Sequence, residues 1–294
     1  FFSMYANDVA SCFDGILYQQ YADDIQFYVS SPLEDLSSAI ECVNHVLSRV
    51  SVWSQENFLQ LNPRKTQTII FSQSTLDVAV LPKIALNNCP IPYCDSVKNL
   101  GVIFDSGMTW TNQVNAVCRK VYGALYSLKR LSIYTPEELK IYLVKSLVIP
   151  LFNYGSLLFI NSINAANKRK LELAFNCCTR YAFNLKPRGH VSAFSNKILG
   201  CGLLIYLKVQ YLKFVFRLIH AEKYFVPTYL SNFFQKGPSV RSLTLKQQFS
   251  SNRLNINSIK VLGARMWNSL PAAVRGLYSV KSFGEAALRF LKNQ

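Results

Sequence analysis

Apolar positions recur with two periods along this chain, and the period changes about a third of the way in. Ile25, Phe27 and Val29 alternate with polar neighbours, which predicts a strand; Ile16-Leu17-Tyr18 before them predicts a second, with Ala22-Asp23-Asp24 in the turn between. Ahead of Gly15, the apolar residues Phe1, Phe2, Met4, Tyr5 and Val9 predict the end of a helix. Ser31-Pro32-Leu33-Glu34 has the form of a helix start, with Ser as N-cap, Pro at the first helical position and Glu closing a capping box. Leu36, Ile40, Val43, Leu47 and Val50 then repeat at helical spacing, and Leu61-Asn62-Pro63 ends that unit. Residues 66–71 (TQTIIF) predict a strand, residues 74–96 short strands among prolines 82, 90 and 92, and Leu100 to Phe104 one more strand.

From Asn112 onward the pattern is helical. Val114, Val117, Val121, Leu125 and Leu128 mark one face. Thr135-Pro136-Glu137-Glu138 repeats the capping-box form ahead of Leu139, Leu143 and Leu147. Further helices are expected through Leu171, Phe175 and Cys178, over Leu203 to Leu218, and after a Ser282/Glu285 cap through Leu288 and Leu291. Residues 146–167 carry no charge, but Pro150, Asn153, Gly155, Asn161 and Asn164 break the apolar run, so a buried helix–turn–helix is expected rather than a membrane span of about 20 apolar residues. No internal repeat or low-complexity tract is present. The fold class expected is α+β, with parts at 1–111, 112–187 and 188–294, the last division resting on Pro187-Arg188-Gly189.

Charge sharpens the first division. Residues 1–111 hold five Lys and Arg against eleven Asp and Glu, a net of −6; residues 112–294 hold 27 against five, a net of +22. A basic segment of that size suits a polyanion, of which nucleic acid is the commonest, although a merely solvated basic surface gives the same count. Half of the residues are hydrophobic and 16% are charged, which excludes a disordered tail. Eight cysteines form no Cys-x-x-Cys pair, so a reducing interior, cytoplasm or nucleus, fits better than secretion. The chain begins at Phe1 without a signal-peptide pattern, and is expected to be a fragment.

The residues most specific for chemistry are Tyr21-Ala22-Asp23-Asp24. Adjacent carboxylates in a tight turn repel each other, and strand ends disfavour Asp, so the pair invites a divalent cation. Two Mg²⁺ ions about 3.5–4 Å apart can activate a 3′-hydroxyl and stabilise departing pyrophosphate. The bland alternative is an ordinary acidic hairpin tip. His45, His190 and His220 are unpaired in sequence and expected to be structural; Cys89 and Cys94 fall short of the roughly four ligands of a zinc site, and Cys177-Cys178 is expected in a core.

The segment QYADDIQFYVS resembles the catalytic hairpin of reverse transcriptases, and other segments follow in that family's order. FFSMYANDV resembles the helix after the template-contacting loop, WSQENFLQLNPRKTQTIIF the helix-to-strand motif that follows the hairpin, and VKNLGVIFDSGMTW the primer grip. LVIPLFNYGS and MWNSLP resemble parts of the thumb and carboxy-terminal helical region of jockey-like non-LTR retrotransposons. The resemblance implies a truncated polymerase palm, a helical thumb and a helical carboxy-terminal region. It implies RNA-templated addition of deoxynucleotides to a DNA 3′ end, with RNA template, DNA primer and dNTPs as partners, Mg²⁺ (or Mn²⁺) as cofactor, and no membrane.

By position, the resemblance makes Asp23 the main metal ligand of the pair, Asp24 its auxiliary, and Tyr21 a support beneath the primer end. Lys65 becomes the proton donor to pyrophosphate, a role that an ammonium suits because it stabilises departing phosphate charge. Leu100 and Gly101 become part of the primer grip, where glycine allows close backbone approach. Arg119, Lys120, Lys129 and Arg130 become phosphate contacts on the template–primer duplex. The family's third catalytic aspartate and its fingers lie amino-terminal to every segment matched here, so these 294 residues alone are not expected to polymerise. The rival expectation is a non-enzymatic nucleic-acid-binding remnant of a retrotransposon, supported by the same basic segment; a decayed copy is a third.

Overall fold

The computed structural model describes residues 1–72, 74, 76–235, 237, 243–248 and 256–293, with the side chain of residue 195 excepted. It is mixed helix and small antiparallel sheets, the α+β class expected. Two compact units divide at Val97/Lys98.

In the first unit, a helix Phe2–Tyr5 (α1) and a 3-10 turn Asn7–Phe13 lead into strands Leu17–Tyr21 (β1) and Asp24–Tyr28 (β2). The strands pair antiparallel from Leu17↔Tyr28 to Tyr21↔Asp24. Helix α2 (Leu36–Glu56) follows, then a hairpin of Ile84–Leu86 (β3) and Cys89–Ile91 (β4). Both sides of α2 are apolar, which is why one helix organises the whole unit. Val46, Val50 and Trp53 pack with Ala6, Val9, Cys12 and Phe13 of the 3-10 turn; Ile25 and Phe27 of β2 close that cluster. Ile40 and Leu47 pack instead on Ile84, Leu86 and Ile91.

Strand Ser96–Asn99 (β5) straddles the division and pairs with Val102–Asp105 (β6). The second unit is helical: Thr111–Lys129 (α3), Glu137–Leu143 (α4), a π-helical turn Val144–Val148, Ile149–Asn153 (α5), Ser156–Phe159 (α6), Ala165–Ala182 (α7), Ser192–Leu199 (α8) and Leu203–Ile219 (α9). Helices Ile259–Asn268 and Val280–Lys292 later pack on α9. A single core runs through this unit, from Val102 and Trp110 to Phe283 and Ala287. The segment Ser192–Ile219 is long and apolar enough to cross a membrane by length and composition alone. It is broken by Gly200 in a left-handed C-cap, and Leu207, Tyr211, Leu212, Val215 and Phe216 of α9 are core residues, the pattern of a buried helix.

Several local expectations move. Helix α2 begins at Leu36 with Asp35 as its N-cap, so Ser31 and Glu34 form no capping box. Residues 66–71 form no strand: Thr68 makes one isolated parallel bridge to Tyr93, because no second segment lies alongside for longer. Thr135 does not cap α4; its hydroxyl donates back to the Leu131 carbonyl at 2.7 Å. The last helix is capped by Ser279, which accepts from the Ser282 amide at 3.1 Å, three residues ahead of the expected cap. At Thr135 and Ser282 the hydroxyl donates to a preceding backbone carbonyl, which sequence spacing cannot distinguish from a cap. The unit boundary also falls ahead of the charge step after residue 111, because Val102 and Trp110 belong to the helical core; residues 1–97 and 98–294 nonetheless keep nets of −6 and +22.

Trp267 anchors the second core. It is fully buried, stacks on Phe283 at 5.4 Å between ring centroids, and donates through Nε1 to the Leu243 carbonyl at 2.8 Å. Trp267→Ala is expected to cost about 3–5 kcal/mol, read from the urea midpoint of the full chain.

Candidate functional site

The Tyr21–Asp24 tip is a two-residue turn in which Ala22 adopts a left-handed φ of 53°. Hairpin turns need positive φ to match strand twist, and Ala there is strained where Gly is not. Tyr21, Ala22, Asp23 and Asp24 are all exposed, and the Gln20 side chain donates through Nε2 to the Ala22 carbonyl at 3.3 Å. The strands are held from below: Phe13 stacks on Tyr18 at 4.5 Å and lies 5.5 Å from Phe27, so β2 is fastened to the 3-10 turn and through it to α2. Arg49 of α2 adds an ion pair to Asp14 at 2.8 Å.

Lys65 lies in the same unit, in a turn built on Asn62. Its amide donates to the Asn62 carbonyl at 3.1 Å and to Oδ1 at 3.3 Å, and the Thr66 hydroxyl donates to the same carbonyl at 3.0 Å. The Lys65 side chain is exposed, and among the described residues it forms no ion pair with Asp23 or Asp24. Two adjacent carboxylates are hard oxygen donors of the kind Mg²⁺ takes when substrate phosphates and water complete its shell. Among the described residues no group of three or more His, Cys, Asp or Glu forms a fuller set.

In the second unit, Leu100 and Gly101 form the turn between β5 and β6, with φ of 44° and 81°. Positive φ at both positions is the arrangement a two-residue hairpin demands. The turn is clamped by a segment far away in sequence: the Tyr154 hydroxyl donates to the Leu100 carbonyl. A Cβ on Gly101 would sit 3.3 Å from the Tyr154 ring, and one on Gly155 would sit 2.8 Å from Val102 Cγ2. Sequence reasoning named LFNYGS only as a thumb-like segment; its Tyr154 and Gly155 are packed against the VKNLGVIF turn. The signal available was Gly155, set between apolar helices where Ala is the ordinary choice.

Helix α3 is oriented by the loop before it. Buried Asp105 accepts from the Thr109 and Trp110 amides at 2.7 and 2.8 Å, Gln113 accepts from the Ile103 amide at 2.9 Å, and Asn167 of α7 donates to Thr111 at 3.1 Å. With Val114, Val117, Val121 and Leu125 buried, Arg119, Lys120, Lys129 and Arg130 are left exposed. Half-exposed Tyr122 lies among them, its phenol pushed up chiefly by burial. All eight cysteines are free thiols; burial pushes those of Cys12, Cys118, Cys178 and Cys201 up, which makes them poor nucleophiles.

Over part of its length the chain is similar to a transposon-encoded RNA-directed DNA polymerase. The relative found is the "Probable RNA-directed DNA polymerase from transposon BS" of Drosophila melanogaster, 28% identical over 109 residues. That stretch is 37% of this chain and 12% of the relative. No family model and no solved structure matches.

Gly101→Ala is expected to lower stability by about 1–2 kcal/mol through the left-handed backbone alone, more if the Tyr154 ring cannot give way. Tyr154→Phe, which removes only the hydrogen bond, is expected to cost about 1 kcal/mol. Both are read by chemical denaturation.

Proposed function

We propose that the chain is part of an RNA-directed DNA polymerase of a jockey-like non-LTR retrotransposon, working inside the cell. Asp23 and Asp24 would be the metal-binding carboxylates, Tyr21 the support beneath the primer end, and Lys65 the donor to pyrophosphate. Leu100 and Gly101 would be primer-grip residues. The observation that carries this is the exposed Asp pair on a strained two-residue hairpin, in a chain similar to a transposon RNA-directed DNA polymerase.

A Mg²⁺ or Mn²⁺ ion held there would lower the pKa of the attacking hydroxyl and neutralise charge on the leaving phosphates. What the chain's own residues contribute is placement. The turn leaves both carboxylates exposed and outside the apolar cluster, so each is open to a cation, which would offset their repulsion of a polyanionic substrate. The cations of α3 would bind phosphates on the RNA–DNA hybrid without reading sequence.

The second reading is a nucleic-acid-binding remnant without catalysis. It is favoured by the bare pair of carboxylates, with no third ligand gathered around it among the described residues, in a chain whose other unit carries a net of +22. Hybrid binding is expected under both readings; only metal-dependent dNTP incorporation tells them apart. Binding to an RNA–DNA hybrid should weaken steeply with salt, and each of Arg119, Lys120, Lys129 and Arg130 changed to Gln should reduce the log–log slope by about 0.7–0.9 if it contacts a phosphate. Primer extension by the 294-residue chain should be absent with either Mg²⁺ or Mn²⁺. Steady dNTP incorporation abolished by Asp23→Asn would overturn the expected inactivity and the remnant reading together.

A further inference from the structure

We propose that the solvent face of α3 is a stacking platform for an unpaired nucleic-acid strand, with Tyr126 and Tyr122 as its aromatic contacts. At 100° per residue, Arg119, Tyr122, Tyr126, Lys129 and Arg130 fall within one third of the helix circumference, centred roughly 130° from the buried stripe of Val114, Val117, Val121 and Leu125 and bordering it at Lys129. Tyr126 is 72% exposed; Tyr122, one turn away and about 6 Å along the axis, is 44% exposed with its hydroxyl hydrogen-bonded to Cys177 of α7, so Tyr126 is the freer ring of the two. Cations therefore stand at both ends of an aromatic pair.

Three features point to an unpaired strand. Thr111–Lys129 contains no acidic residue, so no carboxylate on the helix competes for these cations or repels a phosphate chain. Two exposed tyrosines add little to duplex binding, because base faces in a duplex are already stacked on one another; an unpaired strand offers those faces, and every base has one. Gly123 lies at the edge of the same face with nothing among the described residues outside its own helix backbone within 4 Å of where its Cβ would be, so no packing among them accounts for it. Glycine within a helix costs about 1 kcal/mol relative to alanine, and its use here leaves a notch through which a strand can approach the helix backbone. An anionic membrane is the competing ligand: α3 itself exposes no Leu, Ile, Val or Phe, while Leu131 and Ile133 just beyond Arg130 are exposed.

This inference rests on the nucleic-acid reading of the basic unit and not on the polymerase reading of the hairpin. The test uses the full chain, a labelled single-stranded RNA of about 16 nucleotides, and the same RNA annealed to its DNA complement. Tyr126→Ala, at a position too exposed to disturb the core, is expected to weaken single-strand binding by about 5- to 150-fold and to leave hybrid binding unchanged. Tyr126→Phe, which keeps the ring, is expected to bind like the parent. Equal losses for both ligands, or no loss for either, overturn the platform while leaving hybrid binding and the proposed function standing. A parent chain that binds neither ligand overturns both. Preference for phosphatidylserine vesicles over RNA, lost in Tyr126→Ala, overturns the platform in favour of a membrane face.

Discussion

A two-stranded hairpin has too little surface to hold itself together in water, and the candidate residues outside the helices lie on hairpins or turns. Their positions are therefore only as fixed as whatever packs beneath them. The Tyr21–Asp24 tip depends on Ile25 and Phe27, which reach the cluster that Val46, Val50 and Trp53 of α2 form with the 3-10 turn. The Leu100–Gly101 turn depends on Tyr154 and on Val102 fitting against the bare backbone of Gly155. The two arrangements solve one problem by different means: apolar burial under one hairpin, a hydrogen bond and a close backbone approach under the other. In both, left-handed backbone at the tip is tolerated because the stems are anchored, and a loose stem would relax it.

The elements carried by long repeats were legible in the sequence, and those set by single polar groups were not. The periods through Ile40, Leu47 and Val50, and through Val114 to Leu125, placed α2 and α3, since a buried stripe is a property of many residues at once. The alternation at Ile25 and Phe27 placed β2, and with it the Asp pair at the tip. The caps at Thr135 and Ser282 were misplaced because each depended on one hydroxyl choosing among several backbone groups within reach, and α2 simply starts later than Ser31. Residues 66–71 have strand composition but a single bridge, because a strand also needs a neighbour and composition does not supply one. Tyr154 was invisible for a related reason: its partner carbonyl is 54 residues away, and a backbone carbonyl leaves no mark in a sequence.

The acidic and basic halves of the chain bear differently on function. The carboxylates at the hairpin tip are few, exposed and adjacent, so their mutual repulsion is modest in water and becomes useful only when a cation or a donor draws near. The basic half is not explained by any such local arrangement. Of the described residues, the ion pair that forms, Arg49–Asp14, lies in the first unit. The cations of the second unit are therefore uncompensated by carboxylates within ion-pair distance among those residues.

That lack of compensation is itself an argument about what the surface is for. A stable helical core of this size needs no such excess: Val102 to Ala287 already bury a continuous apolar interior. Self-repulsion among like charges works against compactness, and it is relieved by salt or by a bound polyanion. On α3 the excess is not scattered. It brackets two exposed aromatic rings and an open glycine, an arrangement that stability does not require and that solubility would meet as well with any mixture of signs. A surface that gives up stability at several adjacent positions is best understood through the ligand that restores it, and a charged chain with flat, unpaired rings would satisfy the cations and the tyrosines together.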